Sequence, residues 1–217
     1  MEQLKSGWDL FLLPRTWHKR LNASLLSLLP GIAVVGFFNV LSHSRSIFKD
    51  FILDNTSDMV EKTLLLIIIM MIVGFLDVFC FAWPIADLCR FIARRNNKFI
   101  IQGFNVILMK SYAYSHLLFY PVLLIVNPTG FELERLGQDT GSVTQIVIIT
   151  LYVWALLQVA IQPGILLRTI SIKSKLEFSE KLMVALAIFI WMNLSGQAIR
   201  YILDLAYSMF VSMYGFA

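Results

Sequence analysis

The stretch TLLLIIIMMIVGFLDVFCFAWPIA, residues 63–86, decides the fold class of this chain. It contains a single charged side chain, Asp77. The hydrocarbon core of a bilayer, about 30 Å thick, is crossed by about 20 apolar residues of helix. A backbone in lipid must also satisfy its own hydrogen bonds, which a helix does within one segment. The stretch therefore predicts a transmembrane α-helix.

Four further stretches have a similar length and apolar character, and polar segments separate them. They predict one all-α membrane domain over residues 1–217, a polytopic integral membrane helix bundle of about five transmembrane helices. A sixth span would require splitting the last stretch at Arg200, which leaves two short halves. The predicted spans are about 21–42, 63–86, 102–126, 142–166 and 182–203.

Composition supports the membrane class and argues against nucleic acid as a partner. Of the 217 residues, 58% are hydrophobic and 15% charged, whereas soluble domains carry about 25% charge. The net charge is +4, but the basic residues adjoin apolar stretches instead of forming the basic face of a soluble fold. Residues 1–20, which place Trp8 and Trp17 near basic residues, predict an interfacial N-terminal segment.

The distribution of lysine and arginine predicts the orientation of the chain. Basic residues are concentrated in the N-terminal segment and in the loops after the second and fourth spans, and are sparser in the other loops. With five spans, the three rich segments fall on one side, which the positive-inside rule makes cytosolic. The N-terminus is then cytosolic and the C-terminus outside. The three sets are Lys5, Arg15, Lys19 and Arg20; Arg90, Arg94, Arg95 and Lys98; Arg168, Lys173, Lys175 and Lys181.

Three side chains form a candidate intramembrane polar site: Asp77, Lys110 and His116. Charges in lipid are costly and need partners. Arg90 and Lys98 belong to the basic loop between the second and third spans. Asp77 precedes that loop by about as many residues as Lys110 follows it, so the two charges are expected at similar depth in the membrane. A structural ion pair is the leading interpretation, with a transport or lipid-headgroup site as the functional alternative. For His116, a hydrogen bond to another helix is weighed against proton or ion handling.

The sequence carries none of the common enzyme signatures, so we predict no catalytic, cofactor-binding or metal-binding residues. The H-E-x-x-H, P-loop and G-x-S-x-G patterns are absent. The basic residues at the cytosolic side either set topology alone or also hold anionic lipid or an acidic partner protein. This candidate surface comprises Arg90, Arg94, Arg95, Lys98, Arg168, Lys173 and Lys175.

The layout resembles the Yip-domain family, whose members look like five-span bundles with a cytosolic N-terminus. Leu13-Pro14-Arg15-Thr16-Trp17 resembles the proline-containing entry segment of that family. Lys110-Ser111-Tyr112-Ala113-Tyr114-Ser115, followed by Tyr120-Pro121, is similar to its tyrosine-and-proline region, and the basic loop from Arg168 to Lys181 also fits. The long N-terminal region of eukaryotic members is missing. The resemblance therefore implies a prokaryotic relative, a multi-pass protein of the cell (inner) membrane, with no enzyme activity and no cofactor.

These observations favour a non-enzymatic membrane protein that organises lipids or membrane partners, including a second copy of itself. The alternative is a transporter or permease subunit that uses Asp77, Lys110 and His116. Helix-breaking prolines in four of the spans would also serve such a role. A membrane enzyme that acts on lipids is the third hypothesis.

Overall fold

The computed structural model describes residues 8–43, 59–122 and 141–214. Nearly all of these residues are helical, which confirms the predicted all-α class. The predicted outer loops around Asn55 and Glu134 and the last three residues lie outside the described ranges. In chain order the helices are α1 (Trp8–Phe11), α2 (Arg15–Arg20), α3 (Leu29–His43, entered through a 3-10 turn at Leu26–Leu28), α4 (Met59–Arg95), α5 (Phe104–Ser115, continued by a 3-10 segment at His116–Val122), α6 (Ser142–Lys173) and α7 (Phe178–Tyr214).

Three of these helices are long and apolar enough to cross a membrane. Their apolar parts are Thr63–Arg95, Ser142–Lys173 and Phe178–Ala206, of 33, 32 and 29 residues, against the about 20 that a bilayer requires. A shorter apolar helix covers Leu26–Ser42. The chain thus has the helices of a membrane protein, as the sequence predicts.

Two predicted spans are only partly α-helical in the structure. Residues 21–25, at the start of the first predicted span, carry no helix. In the third, the α-helix stops at Ser115 and the chain continues as a tighter 3-10 segment to Val122. The start of α3 is displaced because residues 21–25 serve as a connector from α2, which an apolar count does not reveal.

α5 occupies the centre of the bundle. Nine of its 12 residues are buried, including Lys110 and Tyr112, and its neighbours are α3, α4 and α6. A helix surrounded by protein can carry polar side chains on several faces, because other helices supply their partners. The third predicted span is therefore the most enclosed helix among the described residues.

α3 and α4 approach each other closely at two glycines, Gly36 and Gly74. A Cβ atom on Gly36 would lie 1.8 Å from the carbonyl oxygen of Met70, and one on Gly74 would lie 2.1 Å from that of Ile32. Small residues allow membrane helices to pack backbone against backbone. This contact fixes the register of α3 on α4, which positions the polar side chains described next.

The N-terminal segment and the loops after α4 and α6 meet at one end of the bundle. Ile100 forms an isolated antiparallel bridge with Ser174, and Lys173 Nζ hydrogen-bonds the carbonyl oxygen of Lys19. The three basic segments therefore share one end, called the basic end below.

Candidate functional site

Asp77 lies buried on α4, where 4% of its surface is exposed. Both carboxylate oxygens accept hydrogen bonds from neutral donors. Asn39 Nδ2 donates over 2.7 Å, and the Tyr112 hydroxyl donates over 3.0 Å. Buried carboxylates are tolerated when their oxygens are hydrogen-bonded. Asn39 follows Gly36 by three residues, and Asp77 follows Gly74 by three, so the glycine contact brings this pair together.

The predicted ion pair between Asp77 and Lys110 is wrong. Lys110 donates no hydrogen bond to Asp77 and instead points towards the connector before α3. Successive helical residues are rotated by about 100°, so Lys110 and Tyr112 project roughly 200° apart from α5. Tyr112 therefore faces Asp77, while Lys110 faces the other side of the helix.

Lys110 is held by three neutral oxygens. Its ammonium group donates to the Asn22 carbonyl and side-chain oxygens and to the Ser27 hydroxyl, over 2.5–2.8 Å. An ammonium group has three donors, so these acceptors satisfy it completely. This buried lysine anchors the connector of residues 21–25 to the central helix.

His116 packs among aromatic rings next to the Asp77 site. Its ring lies edge-on to Phe38, Tyr112 and Phe119, with centroid distances of 5.6, 4.8 and 6.2 Å. Its Nδ1 donates to the Tyr112 carbonyl oxygen over 3.0 Å. Asp77 and His116 therefore both contact Tyr112, but no hydrogen bond joins them. Within the described ranges, no three His, Cys, Asp or Glu side chains are grouped to hold a metal ion.

A second buried cluster, which the sequence did not predict, docks the N-terminal segment on the bundle. His18 is fully buried; its Nδ1 lies 2.8 Å from the Thr169 hydroxyl, and its Nε2 donates to the Leu12 carbonyl over 2.9 Å. The Thr169 hydroxyl also lies 2.6 Å from that of Ser111. Burial lowers the pKa of His18 below its ordinary value of 6.5, and the nearby charge of Arg168 acts in the same direction. The neutral imidazole is thus the form that fits this cluster.

Two residues of the predicted basic surface belong to this docking contact. Arg168 forms an ion pair with Asp9 on α1. Lys173 Nζ donates to the carbonyl oxygens of Lys19 and Leu21, over 2.8 and 2.9 Å. Their charges therefore act inside the protein, where they hold α1 and α2 against α6, and we remove both residues from the candidate lipid surface.

The other members of the predicted surface differ in how far their charge is compensated. Lys98 lies 2.9 and 2.7 Å from the carboxylates of Glu177 and Glu180, and Arg90 bonds Asp87 and Asn105. The remaining three members are exposed and make no ion pair within the part of the chain that the structure describes. They are Arg94, Arg95 and Lys175.

A cavity of about 300 Å³ lies at the basic end, between the last turns of α4 and the loop that leads to α5. Arg90, Arg94 and Lys98 contribute its basic side chains, and Gln102 and Gly103 border it on the loop side. In this part of the predicted surface, cationic side chains border a concave space.

Comparisons of the chain with protein-family models, with curated proteins and with solved structures find no match. The Yip-domain resemblance therefore remains a prediction that rests on the motifs quoted above.

Proposed function

We propose that this chain is a non-enzymatic, multi-pass membrane protein that binds anionic lipid headgroups at its basic end. The observation that carries the proposal is the exposed charge of Arg94, Arg95 and Lys175, which no acidic side chain of the described residues compensates. Arg94 and Arg95 close a helix of membrane-spanning length, and Lys175 lies between two others. Lipid phosphates lie just outside the hydrocarbon core, which is where the ends of membrane-spanning helices are expected.

Electrostatics gives the expected size of this attraction. Each basic residue near an anionic membrane surface contributes about 1 kcal/mol. Three such residues contribute about 3 kcal/mol, or roughly a hundredfold in affinity. The attraction falls off within a Debye length, about 10 Å at 0.1 M salt, so it should weaken as salt is added.

Helix lengths support the proposal of five membrane passes. The positive-inside rule favours a cytosolic position for the basic end, and the Yip-domain resemblance implies a prokaryotic cell. The run Leu26–His43 has a length of about 28 Å, and the run Phe104–Val122 about 32 Å, from the rise per residue of α and 3-10 helices. Both lengths are close to the thickness of the hydrocarbon core, about 30 Å. We propose that both runs cross the membrane together with α4, α6 and α7, which makes the five passes that the Yip-domain resemblance implies.

The proposal is tested by replacing Arg94, Arg95 and Lys175 with glutamine and measuring lipid retention. Wild type, purified in mixed micelles, should retain phosphatidylglycerol in preference to phosphatidylcholine at low salt. The triple variant should lose most of that preference, and high salt should reduce it in the wild type. Equal retention of both lipids by the wild type would contradict the proposal.

The transporter hypothesis draws on Asp77, Lys110 and His116. Each of these residues has a hydrogen-bond partner within the protein. Those contacts account for their burial without a transported substrate. We therefore propose that the three residues have a structural role.

A further inference from the structure

We infer that the cavity bordered by Arg90, Arg94 and Gln102 is a specific phosphate site, which takes a lipid phosphodiester or a soluble phosphate. This inference rests on the proposed lipid-binding function and locates it. A general basic surface attracts any anion in proportion to its charge. A built site binds one group by geometry, so the two can be separated by experiment.

The two arginines are placed to act on one anion. Arg90 and Arg94 are four residues apart on α4 and so lie one above the other on the same helix face, and both border the cavity. Like charges at this spacing repel each other. A phosphate between them would replace that repulsion with attraction to both groups.

Arg90 is held in position before any ligand arrives. One of its terminal nitrogens donates to the Asp87 carboxylate over 3.2 Å, and the other donates to the Asn105 side-chain oxygen over 3.0 Å. Asp87 compensates its charge in part. Arg94 has no such partner within the described ranges, so it brings the uncompensated guanidinium group of the site.

Lys98 borders the same cavity but is a poor phosphate ligand. Its ammonium group already lies within 3 Å of the carboxylates of Glu177 and Glu180, so that corner carries net negative charge. The arginine side of the cavity is therefore the side that would bind an anion.

The cavity lies at the end of a helix that is long and apolar enough to cross a membrane. That helix, Thr63–Arg95, ends one residue after Arg94. The loop that follows carries Phe99, with 69% of its surface exposed, and then Ile100 and Ile101. Exposed apolar side chains beside basic ones are typical of the membrane interface. The planar guanidinium fork matches the geometry of phosphate oxygens and binds them through paired hydrogen bonds.

Arg94 and its neighbour Arg95 provide a matched test, because only Arg94 borders the cavity. Both are exposed, and their replacement by glutamine removes the same charge. If only the surface potential mattered, each variant would lose phosphatidylglycerol affinity by about fivefold. A phosphate site predicts that Arg94→Gln loses at least tenfold more than Arg95→Gln, because hydrogen bonds to the ligand are lost as well.

Arg94→Lys provides a second, independent variant. It keeps the charge and removes the fork, so surface attraction alone predicts no change, whereas the site predicts a loss of about tenfold. Affinities would be measured by native mass spectrometry in mixed micelles that contain phosphatidylglycerol or phosphatidylcholine. Inorganic phosphate is added as a competitor in a parallel series.

The outcomes separate this inference from the proposed function. A loss for Arg94→Gln that is at least about tenfold larger than that for Arg95→Gln, together with a loss for Arg94→Lys, supports the site. Competition by inorganic phosphate then shows that phosphate alone is a ligand, and failure to compete shows that the lipid is needed. Equal losses for Arg94→Gln and Arg95→Gln, with no loss for Arg94→Lys, overturn the site and leave the proposed function standing. No preference for phosphatidylglycerol in the wild type overturns the proposed function, and the site falls with it unless the Arg94 variants still lose affinity for inorganic phosphate.

Discussion

The indole nitrogen of Trp191 on α7 donates a hydrogen bond of 2.9 Å to the carbonyl oxygen of Cys80 on α4. That carbonyl has no partner in its own helix, because the residue four positions later is Pro84, which lacks an N–H group. A second helix thus supplies the hydrogen bond that the proline removes, as membrane proteins require for backbone groups in lipid.

This relationship predicts coupling between Trp191 and Pro84. Trp191→Phe in the wild type should lower thermal stability, since it leaves the Cys80 carbonyl unsatisfied at a cost of about 1–3 kcal/mol. In a Pro84→Ala background the helix recovers its own donor, so the same substitution should cost less. Detergent unfolding of the two single variants and the double variant measures the difference. Equal costs in both backgrounds would show that the indole does not replace the lost donor.

Asp77 and Lys110 should behave as independent sites. Each is satisfied by its own partners, so the stability losses of Asp77→Asn and Lys110→Met should add within about 0.5 kcal/mol in the double variant. Asp77 and Tyr112 share a hydrogen bond. The stability losses of Asp77→Asn and Tyr112→Phe should therefore not add in the double variant. The matched comparison is a pair of double-mutant cycles in one detergent. Strong coupling between Asp77 and Lys110 would restore the predicted ion pair.

The glycine contact between α3 and α4 should tolerate no side chain. Gly36→Ala and Gly74→Ala each place a methyl group against backbone, and we expect each to cost about 3 kcal/mol or more. Gly196 on α7 is the control, because a Cβ there meets nothing within 4 Å. Gly196→Ala should be neutral or should stabilise the helix by up to about 1 kcal/mol. The free energy of unfolding of the three variants tests this, and similar values for all three would contradict the close contact.

Docking of the N-terminal segment should weaken in mild acid. Above the ordinary pKa of 6.5, His18 is neutral both docked and released, so pH has no effect through this residue. Below pH 6.5, His18 takes up a proton when the segment is released. In the docked segment its pKa is lowered, so the imidazole stays neutral to a lower pH. Docking therefore loses stability as the pH falls from 6.5 towards the docked pKa.

Proteolysis of the N-terminal segment across pH 5 to 8 would follow this change. Cleavage should rise below pH 6.5 in the wild type. A His18→Gln variant should lack that component. The same acid-induced rise in both proteins would exclude His18 as its cause.

The sequence predicted the helices better than their contacts. The run of residues 63–86 lies wholly within α4, because a long apolar stretch with a single charge has few other stable forms. The helix continues beyond the predicted span to Arg95. Its last turns are polar, so the apolar pattern of the sequence does not reveal them. Asp77 and Lys110 can lie at similar depth and still point in different directions around their helices, which the spacing along the chain does not reveal.

The contacts that hold the polar residues in place had no local signal. His18 and Thr169 are 151 residues apart, and no spacing rule joins them. Asn39 and Tyr112 are neutral and so were not counted among the intramembrane charges. Counting basic residues also could not show that Lys173 binds backbone carbonyls, whereas Lys175 two positions later is exposed.

The lipid-binding proposal requires the basic loops after α4 and α6 to lie on the cytosolic side of the membrane. The most direct measurement is labelling of single cysteines by a membrane-impermeant reagent, in a variant that lacks the two native cysteines. Cysteines at Arg95 and Lys175 should react only after the membrane is permeabilised, whereas cysteines at Asn55 and Glu134 should react in intact cells. Labelling of the Arg95 and Lys175 positions from opposite sides, or of both from outside, would contradict the proposal.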